Sequence, residues 1–162
     1  MAPEIRTRRA EDVPAVAAFL ERHHSVRVAR LDAVERPLEH PALVAVDGGA
    51  VVGVLTYIVD GPVMEILTLH AEQQWAGCGT SLVRAAERVA AGAGCERIFV
   101  ITTNDNVDAL RFYQRRGFRL AELRAGAVDR SRAVLKPEIP VVGNYGIPLR
   151  DELVLDKDVP GL

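Results

Sequence analysis

Gln74-Trp75-Ala76-Gly77-Cys78-Gly79-Thr80 separates the β-branched, apolar run Val63 to His70 from a stretch, Gly77 to Ala91, in which Leu82, Ala86 and Val89 recur at helical spacing. A glycine-bearing loop between a strand and a helix carries small side chains where successive backbone N–H groups converge, and the helix N-terminus adds about half a positive charge. Such a loop can cradle an anion, and glycine lets a pyrophosphate approach without a Cβ in the way. The same two glycines, Gly77 and Gly79, equally permit close packing of helix on sheet, so the loop by itself leaves both uses open. It lacks the Gly-Lys-Ser/Thr ending of a nucleotide P-loop and the three glycines of a dinucleotide fold.

Working outward, Ile5 to Arg9 reads as a strand, followed by a helix with Val13, Val16, Ala17 and Leu20 on one face and Glu11 and Asp12 at its start. Leu43 to Val46 and Val51 to Val59 flank Asp47-Gly48-Gly49, which is hairpin chemistry, and Asp60-Gly61-Pro62 turns the chain into Val63 to His70. Three consecutive antiparallel strands are expected. The interval His23 to His40 has no clean period and reads as a loop or a broken short helix. Downstream, Gly92 and Gly94 end the helix before a strand Arg97 to Thr102; Asn106 caps a helix through Arg116; Gly117 ends it before a strand Phe118 to Leu123. Ala125 to Pro148, rich in proline and glycine, reads as loop with a short helix at Val128 to Leu135, and Leu149 to Leu155 closes as a strand. This order predicts an α+β (mixed α/β) fold: one domain over residues 1–162, a mostly antiparallel central sheet flanked by helices, and an insert at about 125–148 before the last strand.

Composition bounds the function. The 162 residues are 49% hydrophobic and 26% charged, as expected of an ordinary globular chain, and a net charge of -2 gives no electrostatic case for nucleic acid. No apolar run approaches a membrane span, and the charged N-terminal stretch does not read as a signal peptide, so the cytoplasm is the expected location. Cys78 and Cys95 resemble neither a disulfide framework nor a metal-ligand cluster, so free thiols and no metal site are expected.

Gln74-x-x-Gly77-x-Gly79 resembles the acetyl-coenzyme A signature of the GNAT superfamily of N-acetyltransferases. Asn106-x-x-Ala109-x-x-Phe112-Tyr113-x-x-x-Gly117-Phe118 is similar to that family's second conserved stretch, at a separation that also fits. The stretch from Gly126 through Asp151-Glu152 resembles a bacterial subgroup with an extended C-terminal segment and no known substrate. The resemblance implies acetyl-CoA as cofactor and a small-molecule amine or a peptide as acceptor, and it allows a homodimer. An acyl-CoA-binding module without catalysis is the alternative. In place of the arginine or lysine common in the family's loop stand Trp75 and Ala76, which shifts the phosphate contacts to backbone donors.

Acetyl transfer needs a base for the amine, an oxyanion donor and an acid for the departing thiolate. By resemblance, Tyr113 is the acid, Glu65 the general base and the backbone N–H of Leu69 the oxyanion donor. Leu67, Leu69, Gln74, Trp75, Ala76, Gly77, Cys78, Gly79, Thr80, Asn106, Ala109 and Phe112 line the cofactor. His70 is a second candidate for proton relay, since its unperturbed pKa lies near neutrality. Arg130, Arg132 and Lys136, with Asn144, Tyr145, Arg150, Asp151 and Glu152, offer either acceptor contacts or ordinary surface polarity.

Overall fold

The computed structural model describes residues 2–72 and 77–161. In chain order the elements are β1 (Glu4–Thr7), α1 (Val13–Arg22), β2 (Val28–Arg30), β3 (Ala33–Glu35), β4 (Ala42–Asp47), β5 (Ala50–Asp60), β6 (Val63–Ala71), α2 (Cys78–Gly92), β7 (Arg97–Thr103), α3 (Val107–Arg115), β8 (Arg119–Arg124), α4 (Ala127–Val134) and β9 (Glu152–Asp158). The fold is mixed α/β, a mostly antiparallel sheet flanked by four helices. The chain forms two compact units, one of Met1–Arg27, Arg36–Ile98 and Asp158–Leu162, the other of Val28–Glu35 and Phe99–Lys157.

In the first unit the strand order is β1-β4-β5-β6, every pair antiparallel. Gly48 and Gly49 both hold positive φ (57° and 81°), which gives the β4–β5 turn the twist the strands need, as Asp47-Gly48-Gly49 predicts. Helix α1 buries Val16, Phe19 and Leu20 against Val44 and Val54. Asp12 ties the strand before it to the helix, accepting two hydrogen bonds from the Arg6 guanidinium (2.6 and 3.0 Å) and one from the Arg9 N–H (2.7 Å). Those bonds hold its carboxyl down at about 2.

Helix α2 lies against the other face of β5. A Cβ at Gly53 would sit 2.9 Å from Cys78 Sγ, 3.1 Å from Leu82 Cδ1 and 3.2 Å from the Ala45 Cβ, so the helix reaches the sheet only because residue 53 has no side chain. Cys78 and Leu82 are buried there together with Val83, Ala85, Ala86 and Ala90. Val89, expected on the buried stripe, is half-buried.

In the second unit the order is β7-β9-β8, and β8 runs antiparallel to β9. Asn106 caps α3 as expected, its side chain accepting from the Ala109 N–H at 3.1 Å. Three expectations need correction. The interval 23–40 contains the hairpin β2–β3, with Leu31 and Asp32 at positive φ, and a short 3-10 turn at Pro37–Glu39. The first strand spans Glu4–Thr7 rather than reaching Arg9, because Arg9 already turns toward Asp12. The last strand begins at Glu152, since Leu149 donates its N–H to Val141 instead of to a sheet neighbour.

The close approach at Gly53 predicts that Gly53→Ala costs about 1–3 kcal/mol of unfolding free energy, the usual price of overpacking. Pairing it with Cys78→Ala, which removes the nearest atom, makes the double variant lose less than the sum of the two single losses in urea unfolding. Strict additivity would show that the two residues do not meet.

Candidate active site

Strand β6 carries one residue more than β5 facing it. Ile66 pairs with Tyr57 and Thr68 with Thr56, and Leu67 is the extra residue of a β-bulge between them. The bulge resets the alternation of side chains. Glu65, Thr68 and His70 pair with Ile58, Thr56 and Val54 and so share the face on which α1 packs; Ile66 and Leu69 pair with Tyr57 and Leu55 on the face of Gly53 and α2. Regular alternation would have put Glu65 and His70 on opposite faces.

The shared face is a polar line through an apolar core. Glu65 and Thr68 are buried, 5% and 7% exposed. The Thr68 hydroxyl is 2.6 Å from that of Thr56, a buried pair that satisfies both groups. His70 Nε2 lies 2.7 Å from Ser25 Oγ, and its ring stacks on His23, centroids 4.6 Å apart and 15° from parallel. His23 in turn meets Phe19 at 4.6 Å. Burial, reinforced by the neighbouring His23, pushes the His70 pKa down to about 4. His70 is therefore neutral at physiological pH, holding Ser25 in place rather than cycling a proton by itself.

At the start of α2, Gly77 occupies the left-handed region (φ 81°), with open space where a Cβ would be. Among the described residues no side chain caps the helix there. The first intrahelical bond runs from the Ser81 N–H to the Gly77 carbonyl (3.0 Å), so the amides of the first turn, Cys78 to Thr80, precede it and point out of the helix end. Small residues, a glycine outside the usual φ range and an uncapped N-terminus fit a phosphate-bearing ligand. Cys78 itself turns inward to Gly53, and burial raises its thiol pKa, so it contributes an amide rather than a nucleophile. Gln74, Trp75 and Ala76 lie outside the described residues.

The second motif belongs to the other unit. Asn106, Ala109 and Phe112 are half-buried along α3, and Tyr113 is buried, with Phe112 and Phe118 edge-on to its ring at 5.1 and 5.2 Å. Burial raises the Tyr113 pKa, which keeps the hydroxyl protonated at any working pH. Arg116 stacks over Phe112 at 3.7 Å.

Most of the polar residues of 125–152 have structural partners. Arg132 donates to the carbonyls of Ile139 (2.9 Å), Pro140 (2.8 Å) and Leu149 (2.7 Å) and pairs with Asp129. Asp151 accepts from the Gly126 N–H at 2.8 Å, and Glu152 accepts from Arg124 at 3.2 Å. Tyr145 donates to Asp108 at 2.8 Å. Ser25 and the bulge at Leu67 had no sequence signature; Thr56 and Thr68 carried only that of hydroxyls inside apolar runs.

His70 gives a pH signature. Its unfolded pKa is near 6.5 and its folded pKa near 4, so the unfolded chain takes up a proton first as pH falls. Stability is undiminished above about pH 6.5 and is lost progressively toward pH 4, a loss of about 3 kcal/mol. Urea midpoints from pH 7 to 4.5 should fall in wild type and flatten in His70→Gln. An imidazole that titrates near 6.5 by NMR in the folded protein would contradict this environment.

The acetyltransferase (GNAT) family model matches residues 6–118. The Bacillus subtilis (strain 168) protein YdhI is 44% identical over 111 residues, 68% of this chain and 69% of its own. A Bacillus subtilis acetyltransferase solved in complex with CoA superimposes with a TM-score of 0.69 at 19% identity, covering 98% of this chain and 99% of that one. A GNAT acetyltransferase from Elizabethkingia anophelis with acetyl-CoA bound gives 0.67 at 17% identity, over 96% and 97%. Acetyl-CoA is the co-substrate. The chain belongs to the acetyltransferase (GNAT) family.

Proposed function

We propose that residues 1–162 act as one acetyltransferase domain that passes the acetyl group of acetyl-CoA to a primary amine of a small molecule, by direct attack of the amine on the thioester. The observation that carries this reading is the bulged strand β6, which presents a buried carboxylate, Glu65, on one face and Leu69 on the other, in the same unit as the uncapped start of α2. Glu65 is the general base, taking the amine proton directly or through a water. The backbone N–H of Leu69 steadies the oxyanion. Backbone donors of Gly77, Cys78, Gly79 and Thr80, with Gln74, Trp75 and Ala76 of the same loop, hold the pyrophosphate; Leu67, Asn106, Ala109 and Phe112 complete the cofactor contacts. Tyr113 protonates the departing thiolate, a role that a hydroxyl kept protonated by burial can fill.

An amine substrate is protonated at neutral pH, so transfer requires a base before attack, which is why a buried carboxylate matters more here than the neutral His70. The chain acts in the cytoplasm, where the free, buried thiols of Cys78 and Cys95 stay reduced. Among the described residues no helix is long and apolar enough to cross a membrane.

Thiol release from acetyl-CoA over a panel of small amines and peptides tests the reading. With the best amine, Tyr113→Phe should lower kcat about 10- to 100-fold while acetyl-CoA binding by calorimetry holds. Turnover unchanged across pH would remove Tyr113 from the acid role, and turnover with peptides alone would replace the small-molecule assignment. Gly77→Asp, which adds both a carboxylate and a strained φ at the cradle, should weaken acetyl-CoA binding about tenfold or more.

A further inference from the structure

Tyr145 stands at the tip of a closed turn. The Gly143 N–H donates to the Ile147 carbonyl (2.8 Å), the Ile147 N–H donates to the Asn144 carbonyl (3.1 Å), and Val142 bridges to Pro148 just outside. At the tip Tyr145 adopts φ 58° and ψ 23°, the left-handed region that a bulky side chain avoids. The residue is 70% exposed, so no core packing offsets that strain.

The turn is held by residues at the start of α3. Asp105, itself buried, accepts from the Asn144 N–H (2.9 Å), and a Cβ at Gly143 would overlap the Asp105 carboxylate, so the backbone of the turn lies against it. Asn104 donates to the Pro148 carbonyl (2.8 Å) and accepts from the Arg150 N–H (3.0 Å). The Tyr145 hydroxyl donates to Asp108, in the first turn of α3, at 2.8 Å. Backbone bonds at one end and the hydroxyl at the other thus fix the ring beside the helix start that Asn106 caps. A strained, exposed aromatic anchored at both ends is a preorganised surface, whose ordering cost is met on folding instead of on binding.

The neighbours of the ring set its chemistry. Val141 and Val142 are 67% and 56% exposed, and Val107, the first residue of α3, is 38% exposed. These uncovered apolar side chains come from the turn and from the helix start to which it is bonded. The carboxylates there are engaged: Asp105 accepts from Asn144 and from the Thr103 hydroxyl, and Asp108 accepts from Tyr145 and pairs with Arg111. A polyamine, which needs a carboxylate for each further ammonium group, gains little from such a surface. An aryl or branched alkyl group gains by burying apolar area against the ring.

Resting on the amine transfer proposed above, in which Asn106 and Ala109 hold the cofactor, we propose that Tyr145 sets acceptor specificity. With Val107 and Val142 it receives the apolar body of the amine, and the acceptor class is a monoamine bearing an aromatic or branched aliphatic group. The bond to Asp108 positions the ring; the proton transfers stay with the groups assigned above.

Thiol release from acetyl-CoA is compared for 2-phenylethylamine, ethanolamine and spermidine. The kcat/KM for 2-phenylethylamine should exceed both others about tenfold or more, with the difference chiefly in KM. Tyr145→Asn removes the ring with a residue type that tolerates left-handed backbone, and should bring the ratio of 2-phenylethylamine to ethanolamine close to one. Tyr145→Phe keeps the ring and should keep most of that ratio. A wild type that prefers ethanolamine or spermidine overturns the proposal, as does a Tyr145→Asn enzyme with the wild-type ratio. If no amine of the panel releases thiol, the transfer reading fails by itself and binding decides the rest: with CoA present, saturation-transfer NMR should show 2-phenylethylamine in contact with wild type and not with Tyr145→Asn. No saturation transfer from wild type overturns the aromatic platform independently of catalysis.

Discussion

The bulge at Leu67 decides what the first unit can do chemically. A strand in register throughout alternates its faces strictly, and a buried carboxylate would then stand apart from the hydroxyl and imidazole that follow it. One inserted residue brings Glu65, Thr68 and His70 to the same side of β6 and leaves Leu69 with the face of α2. The rest of the unit is arranged around that line. Thr56 answers Thr68, Ser25 answers His70, and α1 supplies Phe19 beneath His23. Thr68 and His70, on a face that is otherwise core, each have thereby a partner, which is the condition for burying such groups at all.

On the opposite face the governing constraint is steric. Gly53 lets α2 descend until Cys78 and Leu82 touch β5, and the depth of that packing fixes the height of the helix N-terminus over the strands. An amide cradle is useful only if it is rigid, because a backbone donor offers no side-chain freedom to follow its ligand. Burying Cys78 and Gly79 at the first turn anchors the amides that point out of the helix end.

Much of this was legible in residues with strong local rules. Asp47-Gly48-Gly49 gave its hairpin because both glycines take positive φ, and Asn106 gave its cap because its side chain is short enough to reach the N–H three residues on. The family followed from the two motifs at Gln74 to Gly79 and Asn106 to Phe118. What failed to show were features set by pairing rather than by composition. The strands of the β2–β3 hairpin are three residues long, and the turn uses Leu31 and Asp32, neither a glycine, at positive φ, so no turn signal marks it. A bulge is a mismatch between two strands, and neither Leu67 nor Ala121, the extra residue of β8 against β9, differs in type from a residue in regular register. The order Glu65, Thr68, His70 therefore looks like scatter until the partner strand is counted.

The same distinction settles the use of the charged residues after β8. In the sequence, Arg132, Asp151 and Glu152 are as available to an acceptor as any. In the folded chain Arg132 spans three carbonyls, Asp151 closes the turn at Gly126, and Glu152 is buried beside Arg124, while Asn104 accepts from the N–H groups of Arg150 and Asp151, both at 3.0 Å. A segment with this much proline and glycine buries little apolar surface, so side-chain bonds to its carbonyls do the work that a core does elsewhere. Charge that holds a loop together is not free to bind an amine. For the amine transfer proposed above, selectivity for the acceptor would then reside chiefly in shape and in the buried carboxylate of β6.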